Sequence, residues 1–73
     1  MFDFRPDPAT PKPEAYSQLL DAAEALTAGE PDAVANMANI AALLWDFLPD
    51  LNWSGFYRVI GDELVLGPFM GRP

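Results

Sequence analysis

The feature that most constrains this chain is a change in hydrophobic period immediately after Pro49. Before that residue, apolar side chains recur every three or four positions, which predicts helices, and after it they alternate, which predicts strands. The alternating part is interrupted by Gly61-Asp62, a compact turn signal. The sequence therefore predicts an α+β fold in which two N-terminal helices precede an antiparallel β-hairpin.

The helical part divides into two segments at Gly29. The first helix is predicted from about Glu14 to Ala28, because Pro13 suits a first turn and Gly29 suits a left-handed stop. The second is predicted from about Asp32 to Leu48, with its capping residue left open. The predicted buried stripe of the first helix consists of Tyr16, Leu19, Leu20, Ala23 and Leu26. The predicted main buried face of the second helix consists of Met37, Ile40, Ala41, Leu44 and Leu48. The apolar zone of the second helix is wider than this face, because it also includes Val34, Leu43, Trp45 and Phe47.

The first strand is predicted from Trp53 to Ile60, with odd-numbered residues on one face and even-numbered residues on the other. The second strand is predicted from Leu64 to Leu66 and ends at Gly67-Pro68. A two-residue turn would pair Val59 with Leu64 and Tyr57 with Leu66.

Four prolines fall within residues 1–13. Each fixes its own φ and disfavours the helical conformation of the residue before it. We therefore expect residues 1–13 to form a proline-rich flexible tail, and residues 14–73 to form the folded part.

Both faces of the predicted hairpin carry apolar side chains, and the second strand leaves an open edge. A lone hairpin is marginal in water, and an uncovered apolar edge invites pairing with another chain. We therefore expect the sheet to be incomplete, continued either by further sequence or by a partner.

Composition excludes several functions for these 73 residues. With no Cys and no His, the chain offers no disulfide, no ordinary zinc site and no Cys–His or Ser–His–Asp mechanism. The net charge of −7 argues against nucleic-acid binding and against an anionic membrane surface. Since there is neither a membrane-spanning run nor a signal-like N-terminus, we expect a cytoplasmic location.

The segments Asp50-Leu51-Asn52-Trp53-Ser54-Gly55-Phe56-Tyr57 and Glu63-Leu64-Val65-Leu66-Gly67-Pro68-Phe69, with Asn36-Met37-Ala38-Asn39 before them, resemble one known family. That family is the free methionine-(R)-sulfoxide reductases, which have a GAF fold. The resemblance covers roughly residues 15–73 and identifies them with the N-terminal portion of such a domain. It implies a central antiparallel sheet that is flanked by helices and encloses a small ligand pocket.

The resemblance also implies an activity, namely thioredoxin-dependent reduction of free L-methionine (R)-sulfoxide by cysteine thiols. We expect no bound cofactor and no metal, and members of the family often form homodimers. The family's cysteines lie beyond the segment that matches Gly67-Pro68-Phe69, so no catalytic residue is expected within this chain. The chain alone is accordingly predicted to be inactive.

Two positions match aromatic residues with which the family encloses the methyl end of the sulfoxide, Trp53 and Tyr57. Residues four apart on a strand share a face and lie about 13 Å apart along it, so both could line one pocket wall. Without the resemblance, both would be read as ordinary core aromatics. Gly55 lies between them and leaves room for a ligand or a close backbone, or marks a bulge.

Two other functions remain open. The chain could belong to a non-catalytic GAF sensor that binds a small ligand, in which case no cysteine would follow soon after Pro73. It could also be an interaction module whose sheet is completed by a partner chain.

Overall fold

A computed structural model describes residues 6–72 of the chain. Two helices, α1 (Lys12–Thr27) and α2 (Ala33–Phe47), precede two strands, β1 (Trp53–Ile60) and β2 (Glu63–Gly71). The strands form one antiparallel sheet. Helix α2 packs against both strands on one side and against α1 on the other, so it forms the middle layer. Neither helix has the length and apolar character needed to cross a membrane.

Helix α1 begins two residues earlier than predicted, at Lys12 rather than Glu14. Pro13 occupies the first turn, where a missing N–H is not needed for intrahelical bonding. Residues 6–11 precede the helix, and the Ala9 amide donates to the Asp7 carboxylate at 2.9 Å in a local turn. The predicted tail therefore ends earlier than residue 13. Residues 1–5 of that tail lie outside the described part of the chain.

The ends of the helices follow from local chemistry. Gly29 takes a φ of +75° directly after the α1 cap, as predicted for a glycine stop. Asp32 is the N-cap of α2, and its carboxylate accepts from the amides of Val34 at 2.8 Å and Ala35 at 3.1 Å. Leu48 leaves the helix in an extended conformation, which is the one preferred before a proline.

The small buried core lies where α2 meets its neighbours. Its apolar members are Ala22 from α1 and Ala41, Leu43 and Phe47 from α2. Two predicted core residues of α1 are instead exposed, Tyr16 by 53% and Leu20 by 60%. Tyr16 and Leu20 lie beside the face of α1 that packs against α2. The buried residue of that face is the small Ala22.

In α2 the prediction named the right residues but ranked them wrongly. Leu43 and Phe47, expected only to widen the apolar face, are buried, whereas Met37, Ile40, Leu44 and Leu48 are half-buried. The reason is that the strands cover one side of α2 and α1 covers another, so burial is spread around the helix. Val34 remains half exposed, at 50%.

The hairpin confirms the predicted β1 and the predicted pairs of Val59 with Leu64 and Tyr57 with Leu66. Gly61 has a φ of +62°, whereas Asp62 does not have a positive φ, a combination that suits a type II′ turn. The predicted end of β2 at Leu66 is wrong, since the strand continues to Gly71.

The continuation of β2 depends on a β-bulge. Gly55 pairs with Phe69 and Tyr57 with Leu66, so Gly67 and Pro68 together oppose the single residue Phe56. In a bulge the extra residue is left out of the ladder, so a proline there forfeits no required hydrogen bond. The strand therefore passes through the Gly-Pro pair instead of stopping at it.

One buried polar contact joins the sheet to α2. Ser54 is 7% exposed, and its hydroxyl donates to the main-chain carbonyl of Ala41 at 3.0 Å. Ala41 itself is 1% exposed, and its small side chain lets the strand approach the helix closely. Because neighbouring strand residues point to opposite faces, burial of Ser54 turns Trp53 and Gly55 to the outer face.

Candidate functional site

The site lies at the open end of the hairpin, opposite the Gly61-Asp62 turn. There β1 begins and β2 ends, and Trp53 pairs with Gly71 across the two strands. The chain reaches this point from α2 through a short connection in which Asp50 takes a φ of +63°. Aspartate adopts this left-handed conformation more readily than most residues. The sharp turn at Asp50 places the end of α2 beside the start of β1.

An open concavity of about 780 Å³ lies at this end of the hairpin. Its walls come from α2, from the connection after it, from β1 and from the end of β2. The lining residues are Trp45, Leu51, Asn52, Trp53, Tyr57, Gly71 and Arg72.

The structure brings the two predicted site residues together. The ring centroids of Trp53 and Tyr57 lie 5.8 Å apart, with their planes inclined by 27°. This separation is much smaller than the strand rise of about 13 Å over four residues. The Trp53 ring reaches over Gly55, since a Cβ at that glycine would lie only 2.7 Å from Cη2 of Trp53. Gly55 thus leaves the space that the Trp53 ring fills.

A third aromatic ring extends the cluster. The Phe69 ring stacks on Trp53, with centroids 6.0 Å apart and planes inclined by 15°. Phe69 pairs with Gly55, so it lies on the same outer face as Trp53. Both ring pairs fall within the usual range for favourable aromatic contacts. Sequence reasoning missed Phe69 because it ended β2 too early; the signal that could have found it is a bulge at Gly67-Pro68.

The outer face of the hairpin is apolar and exposed beyond this cluster. Val59 is 74% exposed and Leu64 72% exposed, and Tyr57 itself is 60% exposed. Trp53 is half-buried. The alternative of an ordinary core aromatic therefore does not describe Tyr57, whose ring is 60% exposed and lines the concavity.

Two more lining residues were not singled out by sequence. Trp45 was expected only to widen the apolar face of α2, yet it lines the concavity. Its ring approaches the chain end of β2, since a Cβ at Gly71 would lie 3.4 Å from Cζ3 of Trp45. Arg72 follows directly and is the one charged residue among the seven that line the concavity. The pattern carried no signal for either role.

The concavity can hold a small, mainly apolar group against aromatic rings, with one cation at its rim. Within residues 6–72, no three Asp or Glu side chains lie close enough to hold a metal ion together. The whole chain lacks cysteine, so it contains no thiolate nucleophile. These residues can therefore bind and orient a ligand, whereas thiol chemistry would have to come from other residues.

Solved structures with the same fold define the class of the protein. A protein from Burkholderia vietnamiensis described as a GAF sensor is 48% identical, with a TM-score of 0.81, over 88% of this chain and 40% of its own. A further structure of a GAF domain superposes with a TM-score of 0.82 at 33% identity, over 97% of this chain and 44% of its own. The described residues thus have the α+β, GAF-like fold that the sequence predicted, with two helices followed by an antiparallel hairpin.

Curated relatives include members of the family that the sequence resembles. The free methionine-R-sulfoxide reductase of Escherichia coli is 49% identical over 61 residues, which are 84% of this chain and 37% of that protein. The predicted resemblance to free methionine-(R)-sulfoxide reductases is confirmed. The chain spans between 35% and 39% of the length of the curated relatives that it matches. No protein-family model matches the chain.

Proposed function

We propose that this chain is the N-terminal part of an enzyme that reduces free L-methionine (R)-sulfoxide, and that it supplies the aromatic wall of the substrate site. The observation that carries the proposal is the cluster in which Trp53 stacks on both Tyr57 and Phe69 beside the concavity. The E. coli relative bears the name of that activity. The S. aureus protein fRMsr, solved in complex with its substrate, is 43% identical with a TM-score of 0.77, over 80% of this chain and 38% of its own.

The chemistry of the substrate supports this role for the rings. The methyl end of methionine sulfoxide is small and apolar, and sulfur beside an aromatic ring is favourable by about 0.3–1.5 kcal/mol. Trp53 and Tyr57 offer two rings whose centroids are 5.8 Å apart on one wall. Packing the methyl end there would hold the sulfur in a fixed position while a nucleophile approached it.

The thiols would come from residues outside these 73, since the chain has no cysteine. In the proposed reaction a cysteine thiolate attacks the sulfoxide sulfur, a proton is taken up, methionine leaves and a cysteine sulfenic acid remains. A second cysteine thiol condenses with it, releasing water and forming a disulfide. The dithiol of thioredoxin then reduces that disulfide, becoming oxidised itself. The proposal includes a cytoplasmic location, where such thiols are kept reduced, and a homodimer.

The first test uses the full-length product of the gene, with L-methionine (R)-sulfoxide as substrate and thioredoxin as reductant. Removing the wall by Trp53→Ala should lower kcat/KM about tenfold, by loss of up to about 1.5 kcal/mol of sulfur–aromatic contact. Urea unfolding of the same variant gives the fraction that is folded under assay conditions. A loss of activity that is fully explained by a loss of folded protein would contradict the role of Trp53.

Tyrosine offers a matched control pair. Tyr57 and Tyr16 are similarly exposed, at 60% and 53%, but only Tyr57 lines the concavity. Tyr57→Ala should therefore raise KM for the sulfoxide several-fold, whereas Tyr16→Ala should leave it unchanged. Equal effects of the two substitutions would mean that the concavity does not receive the substrate.

The 73-residue chain by itself should not turn over methionine sulfoxide, because it offers no thiolate. Purified chain supplied with thioredoxin and substrate should give a rate equal to that of the mixture without the chain. Turnover above that background would contradict the proposed division of roles.

A second candidate is a non-catalytic GAF sensor, favoured by the similarity to the Burkholderia vietnamiensis protein described in that way. The same concavity would then bind a small ligand without thiol chemistry. Sequencing the gene beyond the codon for Pro73 separates the two. Cysteine codons in the continuing frame support the reductase, and a continuing frame without cysteine supports the sensor.

A further inference from the structure

The concavity carries one feature that the aromatic wall does not use, namely a cation at its rim. Six of its seven lining residues are uncharged and the seventh is Arg72. The chain as a whole has eleven acidic and only four basic residues. In so acidic a protein, a guanidinium beside an aromatic concavity is a local departure from the overall charge.

The backbone before Arg72 is tightly held. Gly71 pairs with Trp53 and has a φ of +113°, a conformation that favours glycine. A Cβ at this position would lie 2.7 Å from the Asn52 carbonyl oxygen and 3.2 Å from Cα of Trp53. The close approach fixes where β2 leaves the sheet. Arg72 therefore follows a backbone position that is fixed beside Trp53, the central ring of the aromatic wall.

We propose that Arg72 binds the α-carboxylate of the ligand whose methyl end packs on Trp53 and Tyr57. This inference rests on the proposed function and names the group that would make the site select a free amino acid. A guanidinium presents a planar pair of N–H donors that match a carboxylate, whereas an internal residue of a peptide has an uncharged carbonyl at that position. Arg72 would thus favour free methionine derivatives over methionine within a chain.

The test compares a carboxylate ligand with its neutral amide on the full-length gene product. The probes are L-methionine sulfone, which a thiolate does not reduce, and L-methionine sulfone carboxamide, with affinities measured by isothermal titration calorimetry. The wild-type protein should bind the acid about tenfold more tightly than the amide. Arg72→Gln should abolish that preference by weakening the acid alone, and Arg72→Lys should retain part of it.

Arg58 provides the control for removal of one positive charge from the same hairpin. It is exposed, lies on the opposite face of β1 from Trp53 and does not line the concavity. Arg58→Gln should leave the preference for the acid unchanged. Circular dichroism of both variants verifies that the full-length product still folds.

Each outcome supports or overturns a particular statement. Equal binding of acid and amide by the wild-type protein, or equal effects of Arg72→Gln and Arg58→Gln, would overturn the role of Arg72 while leaving the proposed function intact. If the wild-type protein binds neither probe and also fails to reduce L-methionine (R)-sulfoxide, the proposed function is wrong, and the inference fails with it.

Discussion

Gly55 is the position at which the structure makes its sharpest prediction. A Cβ added there would lie 2.5 Å from Cβ of Phe69, 2.7 Å from Cη2 of Trp53 and 2.9 Å from Cα of Phe69. Ordinary van der Waals contact begins at 3.4 Å, so the two Cβ atoms would have to separate by about 0.9 Å (3.4 − 2.5). Gly55→Ala is therefore expected to displace both a ring and a strand.

The magnitude follows from which of these atoms can move. The Trp53 ring can rotate away, but Cα of Phe69 belongs to the backbone of β2, which is bonded to β1 on both sides of the bulge. Forcing an extra methyl group into a well-packed site costs about 1–3 kcal/mol. We expect Gly55→Ala to lie in the upper half of that range, since the obstructing atom is backbone. In a Trp53→Leu background the cost should remain above about 1 kcal/mol, because only the ring contact is relieved.

Urea unfolding and near-ultraviolet circular dichroism of the full-length gene product test both parts of this prediction. Gly61→Ala is the control, since a Cβ there meets nothing within 4 Å although its φ is +62°. It should cost about 1–2 kcal/mol of backbone strain and leave the aromatic dichroism unchanged. Gly55→Ala should alter that signal, because Trp53 loses its place over the glycine.

Unchanged stability and unchanged aromatic dichroism in Gly55→Ala would refute the reasoning, since they would mean that the ring does not occupy the space above Gly55. Destabilisation that disappears entirely in the Trp53→Leu background would refute only the role of the Phe69 backbone.

Three further predictions concern the frame that holds the site, all measured by urea unfolding of the full-length gene product. Asp32→Ala should lower the free energy of unfolding by about 1 kcal/mol, because it removes the cap of α2. Asp46→Ala changes an exposed residue of the same helix and should alter the free energy of unfolding by less than about 0.5 kcal/mol. Equal effects of the two substitutions would argue against capping by Asp32. Ser54→Ala should cost about 1 kcal/mol through loss of its buried bond to Ala41, and a neutral result would contradict that bond. Phe47→Ala, at a side chain only 4% exposed, should cost about 3–5 kcal/mol, and a loss below about 1 kcal/mol would place Phe47 outside the core.

The parts of the fold that were predictable from sequence depend on neighbours in the chain. Alternation of side chains located both ends of β1, and the Gly61-Asp62 turn fixed its register with the first half of β2. The Gly29 stop and the start of α2 near Asp32 were likewise predictable, because caps and turns act over a few residues.

The predictions of strand length and of burial were wrong where residues distant in sequence determine the structure. Pro68 reads locally as the end of a strand, and only its place opposite Phe56 in the bulge lets β2 continue to Gly71. The same holds for burial. Tyr16 was expected to be buried and is exposed, whereas Phe47 was expected only to widen the apolar face and is buried, because the burial of each side chain depends on what packs against it. Trp53 and Tyr57 were predicted from family resemblance, whereas their stacking depends on the empty space at Gly55, which only the three-dimensional structure reveals.

The position of α2 in the middle layer has a consequence for how the protein opens. Among the four elements, α1 contacts α2 alone, while α2 holds both strands. Detaching α1 therefore exposes one side of α2 and leaves the sheet, its bulge and the aromatic cluster in place. In native-state hydrogen exchange, we expect the amides of α1 to form a separate cooperative unit that opens at a lower free energy than α2 and β1. The concavity beside the aromatic cluster would thus persist through fluctuations that release the first helix.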